Sequence, residues 1–310
     1  MWRFLEKVPE APRNYTACSG CGLCLLVCPT WRNSHNPRMS PEYIAKAMQC
    51  GATATELAEQ LQTCCLCGAC LPVCPERINL PELILDLRRQ LPRPAMDCAL
   101  DTRLQWCTPA TIGHASSAES TAKLLPGKNL RTHGPTLAIV QALLGIACVN
   151  DDGDDILQAL ESGIEIPQQR LLSFLAPLRD RPLIVAEGLM LHHLRNWLPK
   201  QELASLGEAM SKNKSVRHTL RNSDLYVIEP RAYHSDYERL VKHYDRLQVE
   251  IGCALNLDLQ RIAIPVAEQS EWILQGRNAA RIVCESLADC TAFANTHGIP
   301  VVHIVDLVTA

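Results

Sequence analysis

Through the first ninety residues the apolar positions recur at helical spacing, and further along they gather into short continuous runs. Ser40-Pro41-Glu42 reads as a helix start: a capping hydroxyl, a proline in the first turn and an acid at the positive end of the helix dipole. Ile44, Ala47 and Met48 give that helix its inner face, and Cys50-Gly51 ends it. Thr53 and Glu56 form a capping-box pattern that opens a second helix, with Leu57, Ala58 and Leu61 on one side. Leu83, Ile84, Leu87 and Leu91 make a third stripe, closed by Pro92 and Pro94. The N-terminal part is therefore expected to be helical, and its stripes are core.

Residues 92–135 are rich in Pro, Ser and Thr and read as a linker with short elements. Beyond them, apolar runs alternate with more polar helical stretches. The expected strands are Leu137–Val140, Leu183–Ala186, Leu225–Ile228, Ile262–Val266, Arg281–Cys284 and Val301–Val305, and the expected helices include Tyr237–Gln248 and Glu271–Asn278. That alternation implies α/β units with mainly parallel sheets. Two passages, PLIVAEGLMLHHLRNWLP and RIVCESLADCTAFANTHGIPVVHIVDLV, each place a buried strand before a turn and a helix.

The chain has 310 residues, room for about two or three domains, and is 47% apolar. Its formal charge of −3 gives no basic excess for nucleic acid or an anionic membrane, and its hydrophobicity excludes disorder. The start, MWRFLEKVPEAPR, is charged and broken by proline, unlike a secretory signal. The longest apolar run, Thr136 to Val149, is too short to span a bilayer. A soluble, cytoplasmic protein is expected, peripheral at most to the inner face of a membrane.

Sixteen cysteines change the picture, ten of them within the first 90 residues. Without an export signal, dense and regular cysteine points to metal rather than disulfides. Cys18, Cys21, Cys24 and Cys28 precede Pro29; Cys64, Cys67, Cys70 and Cys74 precede Pro75; the offset between the two runs is 46 at every position. This is the C-x2-C-x2-C-x3-C-P run of [4Fe–4S] proteins, repeated. Three close thiolates take three corners of a cubane, and the fourth turns to the other cluster. The expected sets are Cys18, Cys21, Cys24 and Cys74 for one cluster, and Cys28, Cys64, Cys67 and Cys70 for the other. Gly20, Gly22 and Gly68 suit such loops. Zinc ribbons need two cysteine pairs per site, which these triplets do not supply. Cys65 is off register and reads as a packed thiol beside the ligands; Cys50 reads as a buried structural thiol.

The segments ACSGCGLCLLVCPTW, SPEYIAKAMQCG and TCCLCGACLPVCPERI resemble the helical dicluster domain of an electron-transfer group. That group comprises the iron–sulfur subunits of glycolate and lactate dehydrogenases, anaerobic glycerol-3-phosphate dehydrogenase and heterodisulfide reductase. The resemblance spans residues 10–92 and specifies the cluster type, not a substrate. It implies an α+β multidomain chain. A helical, ferredoxin-like 2[4Fe–4S] domain over 1–95 precedes two α/β domains resembling degenerate cysteine-rich domains, one with the linker over 96–215 and one over 216–310.

In the group, those later domains carry Cys-Cys-Gly and C-x2-C. Here Glu187-Gly188-Leu189-Met190 has no thiol, Cys284 and Cys290 lie six apart, and YHSDYERL keeps Tyr233 and His234 of a Tyr-His-Asp-Pro-Cys-His segment without its cysteine. Cys98, Cys107, Cys148, Cys253, Cys284 and Cys290 read as isolated thiols, with the last three the trio to watch. His192 and His193 read as surface or capping side chains, since neighbours on a helix point about 100° apart. Asp151 to Asp155 read as a solvated turn before a helix, lacking the spacing of a calcium loop. No nucleotide loop and no local Ser-His-Asp signature occurs.

The expected role is a non-catalytic electron-transfer subunit of an oxidoreductase complex. By resemblance its donor is a flavoprotein dehydrogenase of the 2-hydroxy-acid type, and its acceptor a quinone, an electron-transfer flavoprotein or another carrier. The alternatives are a catalytic subunit like heterodisulfide reductase, with a further cluster in the C-terminal domains, or a cluster-bearing docking scaffold.

Overall fold

The computed structural model describes residues 13–91, 106, 122–266, 269–294 and 298–308. The chain start, Pro92, Pro94, Cys98, Cys107 and most of the expected linker lie outside the described residues. The chain divides into two compact units: Met1–Cys65 with Ala69–Leu91, and Leu66–Gly68 with Pro92–Ala310.

The first unit is a set of short helices: α1 (Leu23–Leu26), α2 (Pro29–Ser34), α3 (Pro41–Gln49), α4 (Ala58–Thr63), α5 (Cys70–Val73) and α6 (Leu80–Arg89). Ser40 caps α3 by accepting from the Tyr43 N–H, and Asn79 caps α6 by accepting from the Glu82 N–H. Thr53 and Glu56 bond reciprocally, as a capping box requires, ahead of α4. Ile44, Leu57, Leu61, Ile84 and Leu87 are buried as expected, but α3 buries Ala45 where Ala47 and Met48 were expected.

The second unit holds two four-stranded, wholly parallel sheets. The first contains β1 (Lys123–Leu125), β2 (Ala147–Cys148), β3 (Leu183–Val185) and β4 (Leu203–Ser205) in the order β2-β1-β3-β4. The second contains β5 (Asp224–Val227), β6 (Ala254–Leu255), β7 (Arg281–Cys284) and β8 (Val301–His303) in the order β6-β5-β7-β8. The two orders are the same, and the two similar sequence passages supply the third strand of each sheet. In register, Leu124 faces Ile184 and Leu225 faces Ile282. Asp224 and Arg281, directly opposed, pair through two hydrogen bonds of 2.7 and 3.0 Å.

Connections are helical: α7 (Gly127–Thr132), α8 (Gly134–Leu144), α9 (Asp154–Ser162), α10 (Gln168–Leu175), α11 (Gly188–Trp197), α12 (Leu206–Lys212), α13 (Lys214–Arg217), α14 (Pro230–Ser235), α15 (Tyr237–Ile251), α16 (Ser270–Leu274) and α17 (Leu287–Phe293). Side chains alternate across β5 and β7: Tyr226 and Val283 enter one apolar cluster, Leu225, Val227, Ile282 and Cys284 another. The first of these clusters also takes Leu124, Leu206 and Met210, so both sheets share one core.

Several expectations are corrected. Leu137–Val140 lies inside α8, a helix apolar nearly all round, in which no period distinguishes helix from strand. Residues 122–135 are not linker but β1, α7 and the start of α8. Ile262–Val266 is buried loop, bridged only at Leu257 and Ala263, and α16 stops at Leu274, ahead of Gly276 with its φ of +73°. Cys50 is exposed, not buried. His193 is buried and His192 half-buried, so the pair is not on the surface. The acidic turn is not merely solvated: Arg170, 5% exposed in its side chain, grips both Asp151 and Asp155.

Candidate metal centre

The two cysteine runs repeat in backbone as well as in sequence. Cys18 and Cys64 have φ, ψ of −62°, 115° and −69°, 123°; Cys28 and Cys74, each before proline, have −76°, 119° and −77°, 112°. Proline forces its predecessor into this extended region, which turns the fourth cysteine out of its own loop. Gly22 and Gly68, which are 46 apart, both have φ of +76°. Gly20 has φ of +76° and its counterpart Leu66 has +53°. Leucine at positive φ is strained, and the sequence gives no local sign of it.

In the first unit this geometry brings Cys18, Cys21 and Cys24 of one run together with Cys74 of the other. They line one hollow, walled by Ile78 and Leu80. Cys24 is buried and Cys21 exposed. Burial pushes the Cys24 thiol up to about 12, reinforced by Glu42 and then by Cys18, Cys74 and Cys21. Burial also raises Cys70 well above the usual thiol range, with Cys64, Cys24 and Cys28 adding to the effect. Cys28 is raised chiefly by burial, against the Trp31 N–H and with Cys65 nearby. Cys67 is buried and Cys64 half-buried. Among the described residues, no three His, Cys, Asp or Glu converge on a point as a single ion requires. Thiols spread around a hollow suit a larger group, and four thiols line this one, the donor type of iron–sulfur chemistry, alongside Ser19, Glu42 and Glu76.

Polar donors hold the loops by their carbonyls. Gln49, the last residue of α3, donates to Tyr15, Thr16 and Cys18 carbonyls at 3.0, 3.1 and 2.9 Å, and Lys46 reaches the Cys18 carbonyl at 3.3 Å. In the last turn of α6, Arg88 donates to the carbonyls of Leu61 at 2.8 Å and Cys64 at 2.6 Å. The first cysteine of each run is thus tied to a helix further along the chain, Cys18 to α3 and Cys64 to α6.

Residues 14–78 match the family model of the 4Fe-4S dicluster domain. This is an iron–sulfur protein. No curated protein and no solved structure matches it. The match covers both cysteine runs and supports electron transport as the role of that segment.

In the second unit of this iron–sulfur protein, acids rather than thiols stand just past the strand ends: Glu187 after β3, Glu229 after β5 and Glu285 after β7. Glu285 accepts from Tyr226 and Tyr244 hydroxyls at 2.7 and 2.6 Å and from the Glu229 N–H at 3.0 Å. Burial raises Glu187 and Glu285 to about 7. Gly127, Gly188 and Gly207 make room for these acids, since a Cβ there would come within 2.4, 1.9 and 2.0 Å of Glu187, Glu229 and Glu285. Cys253 packs in the core shared by the sheets, whereas Cys284 and Cys290 lie in the other apolar cluster. No helix among the described residues is long and apolar enough to cross a membrane.

Proposed function

We propose that this protein is a two-cluster electron relay. Cys18, Cys21, Cys24 and Cys74 hold one [4Fe–4S] cluster, and Cys28, Cys64, Cys67 and Cys70 hold the other. The observation that carries the reading is the hollow lined by three cysteines of one run and the fourth of the other, the crossed set that the C-P runs demand. When bound, each cluster supplies one-electron redox chemistry. The chain's own part is to give up four thiol protons per site, to exclude water around the buried sulfurs, and to fix the loops through Gln49, Lys46 and Arg88.

The donor we infer is a flavoprotein dehydrogenase, following the resemblance of the cysteine segments, and the acceptor is a quinone, an electron-transfer flavoprotein or another carrier. The α/β domains then serve as degenerate counterparts of cysteine-rich domains. Acids at the strand ends and the separation of Cys253 from Cys284 and Cys290 favour a relay over a catalytic subunit with a third cluster.

The test is anaerobic purification with iron and sulfide analysis of the wild type, Cys21→Ala and Cys28→Ala. Each variant should lose a different cluster, with complementary EPR spectra. Two intact clusters in Cys28→Ala would refute the assignment. A flavin absorption band in the complex purified from the native host supports the dehydrogenase partner; a complex without flavin removes it.

A further inference from the structure

His234 lies in α14, whose start is fixed by Glu229. The Glu229 carboxylate accepts from the Ala232 N–H at 2.6 Å, and its own N–H donates to Glu285. The His234 side chain is buried, 4% exposed. Its Nε2 accepts from the main-chain N–H of Ala263 at 3.2 Å, so the ring proton sits on Nδ1. Nδ1 lies 2.7 Å from the carbonyl oxygen of Cys67, which can only accept. Both ring nitrogens are therefore committed, and a single tautomer serves both bonds. The second unit takes in Leu66–Gly68, so this bond closes a loop of that unit.

We propose that His234 is a positioning residue for the second cluster, acting through the Cys67 carbonyl. The inference rests on the ligation of Cys67 proposed above. Its physical basis is that Cys67 sits between two residues at positive φ, Leu66 and Gly68, the first in a conformation that leucine does not hold by local preference. The His234 bond gives that turn a hold from outside its own segment. Because the peptide is trans, fixing the Cys67 carbonyl also fixes the direction of the Gly68 N–H. Main-chain N–H groups near cluster sulfurs set the reduction potential, so His234 controls a potential without touching the cluster.

The experiment compares full-length wild type, His234→Gln, His234→Leu and Cys67→Ala, purified anaerobically. It reads iron per chain, far-UV circular dichroism and EPR-monitored redox titration. Glutamine both donates and accepts and should keep two clusters at wild-type potentials. Leucine should shift the potential of one cluster, or lose about half the iron, with the other cluster and the dichroism unchanged. Wild-type potentials for both clusters in His234→Leu would overturn the proposal. Loss of both clusters together with the helical signal in His234→Leu would also overturn it, as a general structural role. Full iron in Cys67→Ala would show instead that the ligation reading had failed, and the proposal would fall with it.

Discussion

Replacing Arg88 with methionine keeps the apolar stem and deletes the guanidinium, which isolates the hold that α6 has on the second cysteine run. Leu61 lies near the end of α4, where carbonyls have no partner within the helix. Arg88 supplies one through Nε at 2.8 Å, and Nη2 reaches Cys64 at 2.6 Å; its 3.5 Å approach to Gln62 is too long to add much. Two short charge-assisted bonds on a half-buried side chain put the cost of Arg88→Met at about 3 kcal/mol. Arg88→Lys can satisfy one carbonyl at a time and should lose roughly half of that. Anaerobic urea unfolding followed by circular dichroism measures the loss, and iron analysis reads whether the cluster proposed at Cys64 is kept. An Arg88→Met protein that unfolds within ~0.5 kcal/mol of wild type would refute the view that α6 anchors this loop.

Arg170 makes four bonds of 2.6–2.9 Å to Asp151 and Asp155; Arg170→Met removes the cation from the buried Asp155 and from Asp151 and should cost about 3–5 kcal/mol, partly recovered in the double variant with Asp155→Asn, as urea titration would show. Glu285 keeps its proton in the folded state up to about pH 7, against 4.5 for an ordinary glutamate, because of burial. The folded form thus binds a proton that the unfolded chain has released, so stability falls as pH rises through that window, by up to ~1.4 kcal/mol per pH unit. Glu285→Gln should flatten the profile by one proton, and an unchanged profile would count against the buried acid. Gly188→Ala places a methyl group 1.9 Å from Glu229 Oε2 and 2.7 Å from the Ala232 nitrogen, and should destabilise by about 1–3 kcal/mol in the same assay.

The cysteine pattern carried the candidate site, because ligand spacing is a local property that the chain displays directly. Its crossing, Cys74 joining Cys18, Cys21 and Cys24, follows from proline acting on the residue before it. β3, β5, β7 and β8 were legible as apolar runs flanked by turns, whereas β1, β4 and β6 hold only two or three apolar residues between polar, glycine or proline neighbours, and β2 merges with the apolar run of α8. The apolar α8 was misread for the opposite reason, too much signal without direction. Arg88, Gln49 and His234 were invisible as supports, since each reaches a carbonyl 24 to 167 residues away. Leu66 could have been suspected only by laying the two runs over each other at their offset of 46, where it falls on Gly20.

That offset also bears on how such a protein can change over time. Two copies of one segment share the same four cysteine positions and nearly the same dihedrals, yet their supports differ: a neutral amide and an ammonium on Cys18, a guanidinium on Cys64. The cysteines are common to both copies, while each support belongs to one copy alone. A substitution at Gln49 or Lys46 therefore removes a support of the first run and leaves the Arg88 support of the second in place. The two supports can drift, or be engineered, one at a time.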